Sequence, residues 1–451
     1  MKKMNNSFLF PYDSIPGVLI YDEKDLELER FISYFVSSSK SKKDIIKILE
    51  VFETNQDNIL LRQELFCELT TRSSIFHKLC ESLSNIQKLQ SEYYEKKIIF
   101  LKYKTDLTYS QEFFESLFKD LCLLVSLLID EYCNMYHFLQ RTNSKVLQNL
   151  FNQIKSKVEN PAFIELRKFC VELSYEKFTS FIIKLNDQFR IISVEALLTE
   201  KSNSYSLPKN DDLYWKLAIY SKITLTQYLT NILDQLLIFD HYIKEMDFIK
   251  FVYQYYQVLS QNNLLFCYPS ISKEIYYYQV MLYDNLQLFT ENKMKYNKIN
   301  LKENTYGLIC FDNTNSYRRQ LLRTLAINQI LAQSGMLLLA NKANMNVKSC
   351  LIIQLSSSEH HKQIGGRFEY DCYKIANYLK EIRLNTLLIL NEVFESTDEI
   401  NATKALITIL DYLTYKDVKW IIGTRLGLLV DQININTKGY CNIEFINGIG
   451  E

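Results

Sequence analysis

Through most of the chain before residue 300, apolar residues recur at steps of three and four, the period of an α-helix. Between Phe113 and Leu139, for example, Phe114, Leu117, Leu121, Leu124, Leu128 and Tyr132 keep this spacing, and apolar residues occupy more than one face. A helix that is apolar on several sides is expected at the centre of a helical assembly. Similar patterns predict helices over 44–54, 59–101, 163–178, 213–239 and 246–259. One segment departs from this period. Phe181-Ile182-Ile183-Lys184-Leu185 and Arg190-Ile191-Ile192-Ser193-Val194 flank the polar triplet Asn186-Asp187-Gln188, which reads as a small β-hairpin near 181–198. The polar stretch from Leu198 to Asp212, with Pro208 inside it, is expected to be a loop.

Beyond Lys293–Thr305, a polar and lysine-rich boundary, the pattern changes. Gly307-Leu308-Ile309-Cys310-Phe311 is a short continuous apolar run, the signature of a strand buried on both faces. A polar loop from Asp312 to Gln320 and a helix from Leu321 to Gln333 follow, which is the order of a phosphate-binding unit. A second apolar run, Leu387 to Leu390, ends in Asn391-Glu392, and a third spans Trp420 to Arg425 after another helix. Glycine usage divides the chain at the same place: of 10 glycines only Gly17 precedes residue 300. Long helices exclude glycine while strand-to-helix turns recruit it, so a helical part up to about 295 and an α/β part over 296–451 are expected.

Composition narrows the class. The 451 residues are 47% hydrophobic and 14% aromatic, which indicates a folded protein with room for several domains. The 52 basic and 52 acidic residues cancel, so there is no global electrostatic footprint for nucleic acid, though a local patch remains open. The 10 cysteines form no CxxC pair and the 5 histidines lack metal-ligand spacing; reduced core thiols and no metal site are expected. The longest apolar run, Leu121 to Ile129, is half a membrane span, and the N-terminus lacks a signal-peptide pattern, so a soluble cytoplasmic protein is expected. Tyr253, Tyr255 and Tyr256, like Tyr276 to Tyr278, have two readings: stacking platforms for bases, or core and flank residues.

The run Leu321 to Gly335 (LLRTLAINQILAQSG) resembles the helix that follows the P-loop in the MutS family, where the pattern is approximately GPNxGGKSTFLRTLGLNxLLAQxG. Gly366-Arg367-Phe368-Glu369 resembles a loop of short MutS-like proteins, and Leu387 to Leu406 (LLILNEVFESTDEINATKAL) resembles their Walker B strand and following loop. Asn58 to Leu69 (NILLRQELFCEL) is similar to the RQEVFxDL element of the family's helical core. The resemblance implies a multidomain α plus α/β protein. Residues 1–295 would form a helical core and lever module with the small hairpin, and 296–451 an ABC-type P-loop NTPase-like domain. Core-like helices begin close to the N-terminus, so the resemblance is to short members without the mismatch-reading domain.

Carried over residue by residue, the resemblance places Arg318 at the P-loop lysine, Arg319 at its serine and Gln320 at its threonine, with Asp312, Ser316 and Tyr317 at glycines. A P-loop points its backbone N–H groups at phosphate, a shape that needs glycine, and its Ser or Thr hydroxyl holds Mg²⁺. No glycine lies between Gly307 and Gly335. The family implies ATP and Mg²⁺ as cofactors, and these replacements make an ordinary ATPase cycle unexpected. Glu392 stands at the general-base position beside Asn391 at the aspartate, and it is read either as that base or as a strand-end residue. Arg425 replaces the sensor histidine. Gly365, Gly366 and Arg367 are read either as a signature-like loop reaching a partner's nucleotide or as the start of a helix. The resemblance thus implies a degenerate subunit that dimerises with itself or an active paralogue and acts on duplex DNA, with Lys145, Lys155, Lys157 and Arg167 as possible phosphate contacts. The alternative is a non-DNA scaffold or chaperone-like regulator of the same architecture.

Overall fold

Helices cover the segments that the apolar spacing marks, with shifted ends, one of them divided in two, and a further helix lies at Lys145–Val158. The computed structural model describes residues 4–5, 7–103, 111–175, 178–185, 191–198, 212–272, 277–283, 296–301, 305–311, 315–355, 366–436 and 441–445. They group into two units, one of Met1–Asn5, Leu9–Thr70 and Glu245–Glu451, the other of Asn6–Phe8 and Thr71–Lys244.

The chain begins in the first unit with β1 (Val18–Ile20), α1 (Glu23–Leu26), α2 (Leu28–Ser33), α3 (Ser39–Glu50) and α4 (Gln56–Thr71). The second unit holds α5 (Ser73–Tyr103), α6 (Gln111–Leu139), α7 (Lys145–Val158), α8 (Pro161–Tyr175), the hairpin β2 (Phe178–Leu185) and β3 (Ile191–Leu198), and α9 (Asp212–Leu236). The single helix expected over 59–101 is two, α4 and α5, interrupted at Arg72. Just before the break the Thr70 hydroxyl donates back to the carbonyls of Phe66 and Cys67, a local bond that competes with helix continuation. The helix of most even apolarity, α6, is the central one: it packs on α5, α7, α8 and α9. Its Tyr132 donates to the Leu236 carbonyl at 2.7 Å, and Tyr93 of α5 donates to Asp234 at 2.7 Å, so the buried hydroxyls are satisfied on α9. β2 and β3 pair antiparallel, as the two short runs around a polar triplet predict; the turn at 186–190 lies outside the described residues.

The chain returns to the first unit within α10 (Asp240–Gln261). There follow β4 (Ser270–Ser272), β5 (Tyr277–Tyr283), β6 (Tyr296–Leu301), β7 (Gly307–Phe311), α11 (Asn315–Gln333), β8 (Lys342–Asn346), β9 (Cys350–Gln354), α12 (Arg367–Lys380), β10 (Thr386–Asn391), α13 (Glu399–Tyr415), β11 (Lys419–Thr424), α14 (Gly427–Asn436) and β12 (Cys441–Phe445). Six strands form an all-parallel sheet in the order β1-β9-β10-β11-β7-β12. Alternate residues of the strands, among them Ile309, Ile352, Leu388, Leu390, Trp420 and Ile422, share one core with residues of α12, α13 and α14. The N-terminal β1 belongs to this sheet, which the glycine distribution does not register. Strands β4, β8, β5 and β6 make a second, smaller sheet, so β-structure begins before the polar boundary expected at 293–305.

Helix α11 is buried on nearly every side, with Leu322, Leu325, Ala326, Ile330 and Leu331 at or near zero exposure. The buried Gln333 amide is satisfied on both sides: it donates to the carbonyls of Glu53 and Lys348, at 2.7 and 2.9 Å, and accepts from the Lys348 N–H at 2.9 Å. It ends in a Schellman motif, Met336 N–H to the Leu331 carbonyl and Gly335 N–H to the Ala332 carbonyl, with Gly335 at φ 77°. An added Cβ there would sit 2.4 Å from the Cβ of Arg62, so both backbone and packing demand glycine.

Candidate functional site

In parallel α/β sheets ligands gather at the carboxyl ends of the strands, where the order of connections reverses. Here that edge is formed by the ends of β7, β10 and β11, and α11 leads away from it. The polar loop expected over Asp312–Gln320 is shorter than the spacing suggests. The helix begins at Asn315, so Tyr317, Arg318, Arg319 and Gln320 lie in its first turns, and only 312–314 between strand and helix fall outside the described residues. Without glycine there is nothing to hold the chain in a cradle, and Arg-Arg-Gln are good helix formers. Ser316 also lies in this first turn.

From that turn Arg318 reaches the strand ends and fills the space between them. Its side chain is 1% exposed, its Nε donates to Asn391 Oδ1 at 2.8 Å, and its Nη2 donates to Glu392 Oε1 at 3.1 Å. Glu395 Oε1 lies 3.9 Å from the same nitrogen. Glu395, itself 3% exposed, also accepts from the Thr424 hydroxyl at 3.1 Å and the Arg425 N–H at 3.0 Å, and pairs with the Arg425 guanidinium at 3.0 Å. Gly423 makes this arrangement possible, since a Cβ there would stand 2.5 Å from Asn391 Oδ1 and 2.9 Å from Arg318 Cδ. Glu392 and Phe394 hold left-handed backbone, at φ 56° and 62°, and the Glu392 N–H is anchored on the Gly423 carbonyl at 3.0 Å. Two non-glycine residues in this conformation so close together fix the turn that presents both carboxylates to Arg318.

The other two arginines of α11 are also engaged. Arg319 donates to the Lys24 carbonyl at 3.4 Å and lies 4.0 Å from Asp25. Arg323 donates to the Asp25 carbonyl at 2.7 Å and pairs with Glu27 at 2.6 Å. Asp25, fully buried, accepts the Leu355 N–H at 3.0 Å. Arg318, Asn391, Glu392 and Arg425 are therefore brought together through Glu395 and the strand ends, while Arg319 turns to Lys24 and Asp25. Glu395, Asp25 and Glu27, which complete the ion pairs, carry no motif signal; Glu395 is one acid among several in the loop after β10.

Gly366 is the N-cap of α12 and Arg367 its first residue; Gly365 lies outside the described residues. A Cβ on Gly366 would meet nothing within 4 Å and its φ of −81° is ordinary, so neither packing nor backbone requires glycine there. Phe368 packs on Phe394, ring centroids 5.3 Å apart, which joins this helix start to the loop carrying Glu392 and Glu395.

Comparison with known proteins adds one relationship. Over 154 residues the chain is 23% identical to a protein of Sarcophyton glaucum described as a mitochondrial DNA mismatch repair protein, mutS homolog. The relationship is MutS-like. The match covers 34% of this chain and 16% of that protein, and no family model matches.

Tyr253 and Tyr255 are buried in α10, which makes them core residues, while Tyr276 lies outside the described residues. Arg167 pairs through two contacts with Asp130, at 2.5 and 3.1 Å, and Lys155 lies 3.7 Å from Glu159, so these two cations are already partnered. Among the described residues no group of acids, histidines and cysteines could hold a metal, and no helix is long and apolar enough to cross a membrane.

Proposed function

We propose that this chain is a MutS-like protein whose ATPase-like unit keeps the architecture of a nucleotide switch without its own nucleotide cycle. It would act as a degenerate subunit, paired with itself or with an active paralogue, on duplex DNA. The observation that carries this reading is Arg318. It stands at the position that the resemblance gives to the P-loop lysine, and its guanidinium is held by Asn391 and Glu392. The Glu392 oxygen that accepts this bond is occupied by Arg318 and is not open to orient an attacking water. Arginine offers no lone pair to Mg²⁺, so ATP and Mg²⁺ would have to come from a partner's site. Gly366, where no local constraint requires glycine, supports the reading of Gly365 to Arg367 as a surface for close approach to another subunit's ligand.

The test is titration of the purified chain with a fluorescent ATP analogue and Mg²⁺, alone and with a co-purified paralogue, together with retention on duplex DNA across salt concentrations. The chain alone is expected to bind no analogue, and the pair to bind it with an affinity that falls when Arg367 is replaced by Ala. Hydrolysis by the lone chain that disappears in Glu392→Gln would sink the proposal. DNA retention independent of salt, or absent, would favour the scaffold alternative.

A further inference from the structure

In the helical unit, antiparallel α5 and α6 are tied at successive levels. Lys96 pairs with Asp120, Asn85 donates to Glu131 at 2.9 Å, and Arg72 donates to the Arg141 carbonyl at 2.6 Å. Between the last two ties the helices leave a half-open groove of about 670 Å³. Small-molecule sites commonly fall between roughly 300 and 1,000 Å³.

The groove is polarised along its length. Arg72 and Arg141 stand at one end, where α5 begins and α6 has ended, and Lys78 lies about two turns of α5 further in. Arg72 and Arg141 both line this end, and Lys78 and Arg141 form no ion pair among the described residues. At the other end Glu131, oriented by Asn85, faces the same space, with Glu81 about one turn of α5 beyond Lys78. Two carboxylates there disfavour a polyanion lying along the groove. A ligand that is anionic at one end and rich in hydrogen-bond donors at the other fits both ends.

We propose that this groove binds a phosphomonoester on a ligand of nucleotide size, the phosphate at Arg72, Lys78 and Arg141 and the donor groups at Glu81 and Glu131. The source is either a free mononucleotide or the 5′-phosphorylated end of a strand. The inference is independent of the reading of Arg318, since it uses none of those residues.

The experiment is calorimetric titration of the full chain with adenosine 5′-monophosphate, and with a short single-stranded oligonucleotide carrying either a 5′-phosphate or a 5′-hydroxyl. Each is repeated on the Lys78→Gln/Arg141→Gln double variant, both positions being exposed. Binding of the mononucleotide that weakens at least tenfold in the variant supports the site and assigns it to free nucleotides. Binding of the 5′-phosphorylated strand alone, with the same loss, supports it and assigns it to strand ends. Failure of both phosphorylated probes, equal binding of the 5′-hydroxyl strand, or affinities unchanged in the variant overturns the proposal. If the double variant melts early, Lys78→Gln alone carries the same comparison.

Discussion

At the scale of single residues, Arg318 and Lys348 show how differently a buried cation can be accommodated. Replacing Arg318 with Ala leaves Glu392 and Glu395 without their shared cation at sites 15% and 3% exposed. Breaking such a pair from one side leaves an uncompensated buried charge and costs about 3 kcal/mol, a penalty that neutralising all three groups avoids. Urea unfolding of Arg318→Ala is therefore expected to show a large loss, and the triple variant Arg318→Met/Glu392→Gln/Glu395→Gln to recover most of it. Lys348 has no such cluster. Burial, with the Lys419 ammonium next, lowers its pKa from 10.5 to about 7, and Asp417 only partly offsets this. Because the folded value lies below the unfolded one, the unfolded chain holds the extra proton between about 7 and 10.5, and stability rises with pH across that window. Lys348→Met should remove the rise and stabilise the protein at pH 7 by about 1–3 kcal/mol, read from denaturant midpoints at several pH values.

Elements were legible in the sequence in proportion to how much of their own environment they carry. The strands β7, β10 and β11 are short apolar runs buried on both faces, and their bounds follow closely from that pattern. Strand β1 is only Val-Leu-Ile after Pro16 and Gly17, too short for any period to register, and its partner β9 lies far along the chain. The start of α11 was hidden for another reason: the resemblance supplies a loop where this chain, lacking glycine, continues the helix. The ion pairs of Arg318 join positions 73 or more residues apart, so no local spacing announces them. The end of α11 is the converse, a cap readable as Ser-Gly. Gly335→Ala forces a Cβ at positive φ and against Arg62, and thermal unfolding should report a loss of about 1–3 kcal/mol. Gly366→Ala, with open space around it, should leave stability within about 0.5 kcal/mol.

For the whole molecule, the order of residues in the sequence is not the order of the core. The first unit draws on Leu9–Thr70 and again on Glu245–Glu451, so a fragment beginning at 296 carries the site but not all of its support. It lacks Asp25 and Glu27, which hold Arg319 and Arg323, and it lacks Arg62 with its buried partner Glu53 at 3.3 Å. Such a fragment is expected to elute as aggregates in size-exclusion chromatography, whereas co-expression with residues 1–70 should restore soluble material in part.

Strand β1 also sets the timetable of folding. Its three residues pair with Cys350 to Ile352, more than 300 positions later, so during synthesis they emerge long before there is anything to pair with. Loop closure across that distance is slow, and the parallel sheet keeps a bare edge at β9 until the first-made segment returns to it. A segment made more than 300 residues before its partner is thus among the last to be placed, and conditions that delay its return, such as cold expression, are those under which unfinished sheets would meet one another.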